Sequence, residues 1–260
     1  MSQRQVTPAD GASHRLERGL GLALSFLIYY GQPHRLLALR RLYRQFVAPG
    51  DLCFDIGAHV GNRVLVLRSL GAKVVAAEPN PDCVRWLQRL YGRDRNVWLW
   101  SAALGAAPGT ERLWLSRRTP TVSTMDPAWR AAVSQTEGFV QVGWQESRLV
   151  EVTTLDRLID EYGRPAFCKI DVEGAESQVL RGLSSPLPAV SFEYLTAVWP
   201  RAVACVDQLA ELGAYEFNWA IGESGRLQAS SWLPPAELLA RMQADGAGGR
   251  SGDIYARQVE

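Results

Sequence analysis

Residues Leu52–Pro79 read LCFDIGAHVGNRVLVLRSLGAKVVAAEP. An apolar run, Leu52 to Ile56, ends in a turn with glycines at Gly57 and Gly61. A segment with helical spacing, Asn62 to Leu70, is closed by Gly71. A second apolar run, Val74 to Ala77, then ends in Glu78 and Pro79. Strand, glycine turn, helix, strand and acid, in that order, form the minimal unit that holds an adenosine-containing ligand at the carboxyl end of a parallel sheet.

Strand and helix patterns alternate outward from this unit. Asn80 reads as an N-cap with Pro81 at the first helical position, opening a helix to about Tyr91. Further strands are expected at Val97–Ala102, Leu149–Val152, Pro165–Val172, Ala189–Tyr194, Tyr215–Ala220 and Asp253–Arg257, with Glu111–Leu115 as an edge strand. Helices are expected up to Tyr162, after a capping box at Thr153 and Asp156, and at Gly174–Arg181, Ala202–Leu212 and Pro235–Ala244. The least regular stretch, Ser116 to Arg148, carries Trp129 and Trp144, with Phe139–Trp144 alternating weakly. It reads as an insertion over part of a site or as a plain structural excursion. Helical patterning to about Tyr30 and again over His34–Phe46 makes residues 1–47 an N-terminal helical extension packed on a domain of residues 48–260. The alternation implies a layered α/β sheet.

The bulk numbers narrow the classes. A chain of 260 residues with 47% hydrophobic content can bury a sizeable core. Its net charge of +1 gives no electrostatic case for nucleic acid. The four cysteines lack metal or redox spacing and read as buried thiols of a reducing, cytoplasmic setting. With only three histidines, a His-based metal site is not expected; carboxylates could hold a divalent metal, but no ligand pattern demands one and no metal is assigned. The apolar stretch Gly19–Tyr30 is too short to span a bilayer. It reads as a helix packed on the domain, with contact to a membrane surface through its flanking arginines as the alternative.

A dinucleotide fingerprint would place glycines at 57, 59 and 62, but His59 and Asn62 stand there. That disfavours a pyrophosphate and a nicotinamide oxidoreductase. An acid, a glycine turn and a second acid suit S-adenosylmethionine instead. Asp55 can accept from its ammonium, and Gly57 and Ala58 let the backbone come close. The N–H groups around Gly61 and Asn62 suit its carboxylate, and Glu78, followed by Pro79, can take both ribose hydroxyls. Ser101 and Ala102 are small enough to face adenine. In the strand AFCKIDVE, Lys169, Asp171 and Glu173 point one way if extension continues that far. Such charges need partners or a cavity, and Glu193 in SFEY is the candidate partner for Lys169. Asp171, Glu173, Glu193 and His59, with Lys169 beside them, are the groups that could take a proton from a hydroxyl acceptor. They could equally form a structural ion network.

The pieces FDIGAHVGN (Phe54–Asn62), AAEPNP (Ala76–Pro81), SAALG (Ser101–Gly105), VTTLDRLID (Val152–Asp160), KIDVEGAESQVLRGL (Lys169–Leu183) and SFEY (Ser191–Tyr194) occur in this order. Together they resemble the FkbM-type family of S-adenosylmethionine-dependent methyltransferases. That resemblance implies a class I, Rossmann-like α/β fold with a seven-stranded, mostly parallel sheet, helices on both faces and its last strand antiparallel. It also implies O-methylation of a small-molecule hydroxyl on a sugar, polyketide or other secondary metabolite. A non-catalytic binding protein that keeps the fold is the competing expectation.

Overall fold

The computed structural model describes residues 17, 19–21, 23–27, 30–116, 118–134, 136, 142–244 and 251–259. Its main sheet has seven strands in the order β3-β2-β1-β7-β8-β10-β9. These are β1 (Leu52–Ile56), β2 (Lys73–Ala77), β3 (Val97–Trp100), β7 (Phe167–Ile170), β8 (Ala189–Leu195), β9 (Tyr215–Ile221) and β10 (Ser251–Gln258). β10 runs antiparallel between β8 and β9, and the pairings from β3 to β8 are parallel. A second sheet of β4 (Ala103–Leu104), β6 (Trp144–Thr153) and β5 (Gly109–Ser116) stands apart. The expected class I architecture is present.

The central strands are mostly apolar because both faces are covered. In β1, Phe54 and Ile56 pack with Val75, Cys168, Ile170 and Phe192 in one layer. Cys53 packs with Val74, Ala76 and Phe167 in the other. The helix Pro33–Tyr43 buries Leu39, Leu42 and Tyr43 in that second layer. Phe46 stacks on Phe167 at 5.3 Å and on Tyr255 at 5.8 Å. Ahead of it, Phe26 and Tyr30 pack on Trp86, and the Tyr30 hydroxyl donates to the Val60 carbonyl. Leu20, Leu24 and Leu27, four and three residues apart on the same stretch, remain exposed. No helix among the described residues is long and apolar enough to cross a membrane.

Several local expectations shift. β7 stops at Ile170, and Glu173 adopts φ 55°, so period-two extension does not reach it. The helix cap is Thr154, one residue after Thr153; its hydroxyl accepts from the Arg157 N–H, while Asp156 accepts from the Ser184 N–H. Glu111–Leu115 and Leu149–Val152 belong to one long hairpin of the second sheet, outside the main one. Of Phe139–Trp144, residues 139–141 lie outside the described residues, and the strand begins at Trp144.

Phe167 is fully buried between β1, Tyr43 and Phe46. Phe167→Ala should lower stability by about 3–5 kcal/mol, as a large buried aromatic does on truncation. Urea unfolding checks this, and a change within error would show that the ring is not part of the core.

Candidate active site

The carboxyl ends of β1, β2 and β7 meet around a cavity of about 410 Å³, its open mouth included. Ile56, Gly57, His59, Ala77, Glu78 and Pro79 line one side. Ala102, Ala103, Leu104, Leu113, Ser123, Met125, Asp171 and Val172 complete it. A cavity at the strand ends, where helices follow the strands, is where open α/β sheets place ligands.

The floor depends on Gly57. Its φ is 81°, and a Cβ there would lie 1.8 Å from the Asp171 carbonyl oxygen. The first turn and the end of β7 therefore touch backbone to backbone, which only glycine allows. Gly61 is also left-handed, at φ 84°, and opens the helix Asn62–Ser69. The Tyr91 hydroxyl donates to the Gly61 carbonyl.

Asp55, next to last in β1, has no solvent exposure and lies behind the lining residues, and neither of its carboxylate oxygens has a hydrogen-bond partner. Burial pushes its pKa up to about 6, against the pull of Arg63, His59 and Lys169. Glu78 is equally buried but engaged, accepting the His59 N–H at 2.8 Å and the Asn80 N–H at 2.7 Å. Each oxygen retains acceptor capacity, since a carboxylate offers roughly four lone-pair sites. His59 sits at φ 49°, held there by that bond to Glu78.

On the other wall, Lys169 has no solvent contact. Its amine donates to Asp253 Oδ1 at 2.8 Å and to the Ile170 carbonyl, and lies 3.3 Å from Asp171 Oδ2. Burial lowers its pKa, but Asp171 and Asp253 outweigh burial and hold it above the ordinary lysine range. The expected partner Glu193 is not the one used. The β8 register sets Ser191 beside Lys169 and places Glu193 opposite Asp253. Burial raises Asp171, while Lys169, His59 and Arg63 pull it below the ordinary range. Burial and Asp171 push Glu173 well up.

His59, Asp171 and Glu173 come together, each offering a nitrogen or oxygen within 4.8 Å of the others. Glu193 instead lines a second cavity with Trp129, Gly174, Glu176 and Arg201, where burial and the neighbouring carboxylates raise its pKa. Ser101 is exposed and Ala102 lines the cavity, so only the second of that pair faces it. Ala58, Gly61 and Asn62 sit buried in the turn behind the lining.

Leu113, Ser123, Met125 and Asp253 join the site without any signal in their local sequence that assigns them to it. Ser123 and Met125 come from the irregular stretch after Ser116, which thus forms part of the wall. Thr124 donates to the Glu173 carbonyl at 2.7 Å. Trp129 packs so closely on Gly174 that a Cβ there would lie 2.3 Å from the ring. The clustered tryptophans were the signal available for that stretch as a whole.

The model described as the methyltransferase FkbM domain matches residues 55–201. The hexuronic acid methyltransferase AglP of Haloferax volcanii is 31% identical over 157 residues, 58% of this chain. The match spans 58% of that curated relative's length. Among solved structures, a precorrin-6y C5,15-methyltransferase from Geobacter metallireducens aligns with TM-score 0.44 and 14% identity, covering 87% of this chain and 89% of its own. A SAM-dependent O-methyltransferase from Thermotoga maritima aligns with TM-score 0.39 and 12% identity, covering 82% and 61%.

The unpaired charge of Asp55 gives a pH signature. Its folded pKa, about 6, lies above the unfolded 3.8, so stability is highest at low pH and falls as pH rises through that window. Between pH 4 and 8 the ligand-free protein should lose on the order of 2–3 kcal/mol that Asp55→Asn does not lose. Urea unfolding of both proteins across this range measures it. Parallel pH profiles would mean that Asp55 is paired in solution.

Proposed function

The chain belongs to the FkbM methyltransferase family, and from that premise we propose that it transfers a methyl group from S-adenosylmethionine to a hydroxyl oxygen of a sugar. The observation that carries this reading is the orphaned carboxylate of Asp55, beside a floor that only glycine fits. A buried acceptor without a donor is costly, and the ammonium of an amino-acid ligand supplies one. The name of the Haloferax relative, a hexuronic acid methyltransferase, supports a sugar as acceptor.

Roles follow from position. Asp55 holds the ammonium, and Gly57 lets the ligand lie against the turn. Glu78, fixed by two backbone N–H bonds, turns its remaining lone pairs to the ribose hydroxyls. Ala102 and Leu104 offer a flat apolar wall for adenine. When bound, S-adenosylmethionine supplies an electrophilic methyl on its sulfonium. Methyl transfer is an in-line displacement, so alignment accounts for much of the barrier reduction. The acceptor oxygen forms the new bond, the carbon–sulfur bond breaks, and the hydroxyl proton must leave. The His59, Asp171 and Glu173 cluster lies where an acceptor would enter from the side of Asp171. Lys169 is buried and fully engaged, so it positions Asp171 rather than exchanging a proton.

His59 in place of a second fingerprint glycine, with its backbone tied to Glu78, leaves no open path for a pyrophosphate at the turn. This disfavours the nicotinamide reading.

Glu78→Ala should weaken S-adenosylmethionine binding by about 1–3 kcal/mol, roughly ten- to a hundredfold. Calorimetry on the folded variant, with melting as the control, makes the measurement. Unchanged affinity would overturn the cofactor assignment. Release of S-adenosylhomocysteine with free and glycosidic hexuronic acids, and none without an acceptor, tests the acceptor class.

A further inference from the structure

We propose that His59, Asp171 and Glu173 form a divalent-cation site that chelates two neighbouring oxygens of the acceptor beside the cofactor cavity. The acceptor's part in this rests on the methyltransferase reading above. The ion site itself stands on the three side chains.

The donor set is one imidazole and two carboxylates, drawn from the first turn and from the end of β7. One nitrogen or oxygen from each lies within 4.8 Å of the others. Ligands about 2.1 Å from a common octahedral ion are roughly 3 to 4.2 Å apart, so small side-chain rotations close the site. Mixed nitrogen and oxygen donors suit Mn²⁺, Fe²⁺ or Zn²⁺, with Mg²⁺ as the harder alternative.

A second observation points to a ligand. Glu173 is only 8% exposed, yet its Oε2 is buried with no hydrogen-bond partner. The nearby cation does not satisfy it. Lys169 donates to Asp253 at 2.8 Å and spends its remaining reach on Asp171 Oδ2 at 3.3 Å. Asp171 keeps its other oxygen for a further partner. Lys169 is shared between Asp253 and Asp171, and among the described residues no cation meets the orphaned oxygen of Glu173. A dication answers that orphaned oxygen.

The ligands are held in place. His59, at φ 49°, and Glu173, at φ 55°, are the two non-glycine residues with positive φ among the described residues. Glu78 fixes the backbone of the first. Thr124, on the Glu173 carbonyl, and Trp129, against Gly174, fix the second. Three protein ligands leave coordination positions for substrate, as catalytic metal sites require. A sugar with neighbouring hydroxyls fills two of them. The bound hydroxyl then ionises more readily and releases its proton to solvent. Its oxygen takes the methyl carbon as the carbon–sulfur bond breaks, and the electron pair of that bond stays on sulfur in S-adenosylhomocysteine.

The test uses the full-length chain, stripped with EDTA and titrated with Mn²⁺ while the free-ion electron paramagnetic resonance signal is read. One ion per chain is expected, weakened about tenfold or more in both Glu173→Gln and His59→Asn. Asparagine tolerates the left-handed backbone at 59, so that variant decides the matter if Glu173→Gln melts early. No binding below roughly 1 mM, the weak end of biological divalent sites, or affinity unchanged in the variants, overturns the site. S-adenosylmethionine binding to the metal-free protein is read separately. Its absence would sink the methyltransferase reading without touching the ion result.

Discussion

The full burial of one ammonium group organises the carboxyl end of this sheet. Lys169 sits in a central parallel strand with no water to solvate it, and it exists there only because Asp253 and Asp171 surround its amine. Leaving such a charge unpaired costs about 3–5 kcal/mol. Asp253 comes from the antiparallel strand β10, two strands away, with β8 between. It also accepts from the Tyr255 hydroxyl and lies 3.9 Å from Arg63, which makes a two-pronged pair with Glu223 beyond β9. Asp171, Lys169, Asp253, Arg63 and Glu223 thus tie the loop after β7, the last strand, the helix after the first turn and the loop after β9 into one network that is buried at Lys169 and reaches the surface at Glu223. The position of Asp171 against the cavity follows from that network.

The two sides of the site have different physical origins. The side proposed for the cofactor is backbone geometry: left-handed glycines, a turn pressed against the β7 end, and one glutamate gripping two N–H groups. The other side is held by long-range contacts. The segment after Ser116 reaches over to lock Glu173 through Thr124 and Gly174 through Trp129. Arg201 adds a bond to the Gly174 carbonyl from another helix. A loop clamped from three directions can keep a non-glycine residue at positive φ, which free loops rarely do.

This division explains what could be read from the sequence. Gly57, Gly61, Glu78 and the N-cap Asn80 act within about twenty-five residues of one another, so their spacing announces strand, turn, helix and strand. Asp55 stood out as an acid just before the turn for the same reason, but its burial without a partner is visible only in the structure. The partner of Lys169 was not. Glu193 is close in sequence, but strand order, which no local pattern encodes, brings Asp253 there instead. The hairpin β5–β6 hid for a related reason. Its strands expose one side and are separated by the irregular segment, so Leu149–Val152 looked like another core strand. Ser101 looked like a cavity residue by position alone, whereas the strand ends one residue earlier and turns it outward.

The orphaned oxygens of Asp55 and Glu173 make the site a place of stored electrostatic cost, and that cost has a direction. A ligand that brings a donor or a cation to them binds the folded chain and not the unfolded one, so its binding energy adds to stability. The network around Lys169 is complete without any ligand and therefore supplies the rigidity against which the unsatisfied groups can persist. Were Asp55 and Glu173 as fully paired as Lys169, the fold would be more stable and the cavity would have nothing left to recognise with. On the proposed reading, selectivity comes from placing satisfied and unsatisfied charges close together, on strands that cannot relax toward each other because Gly57 and Asp171 already touch.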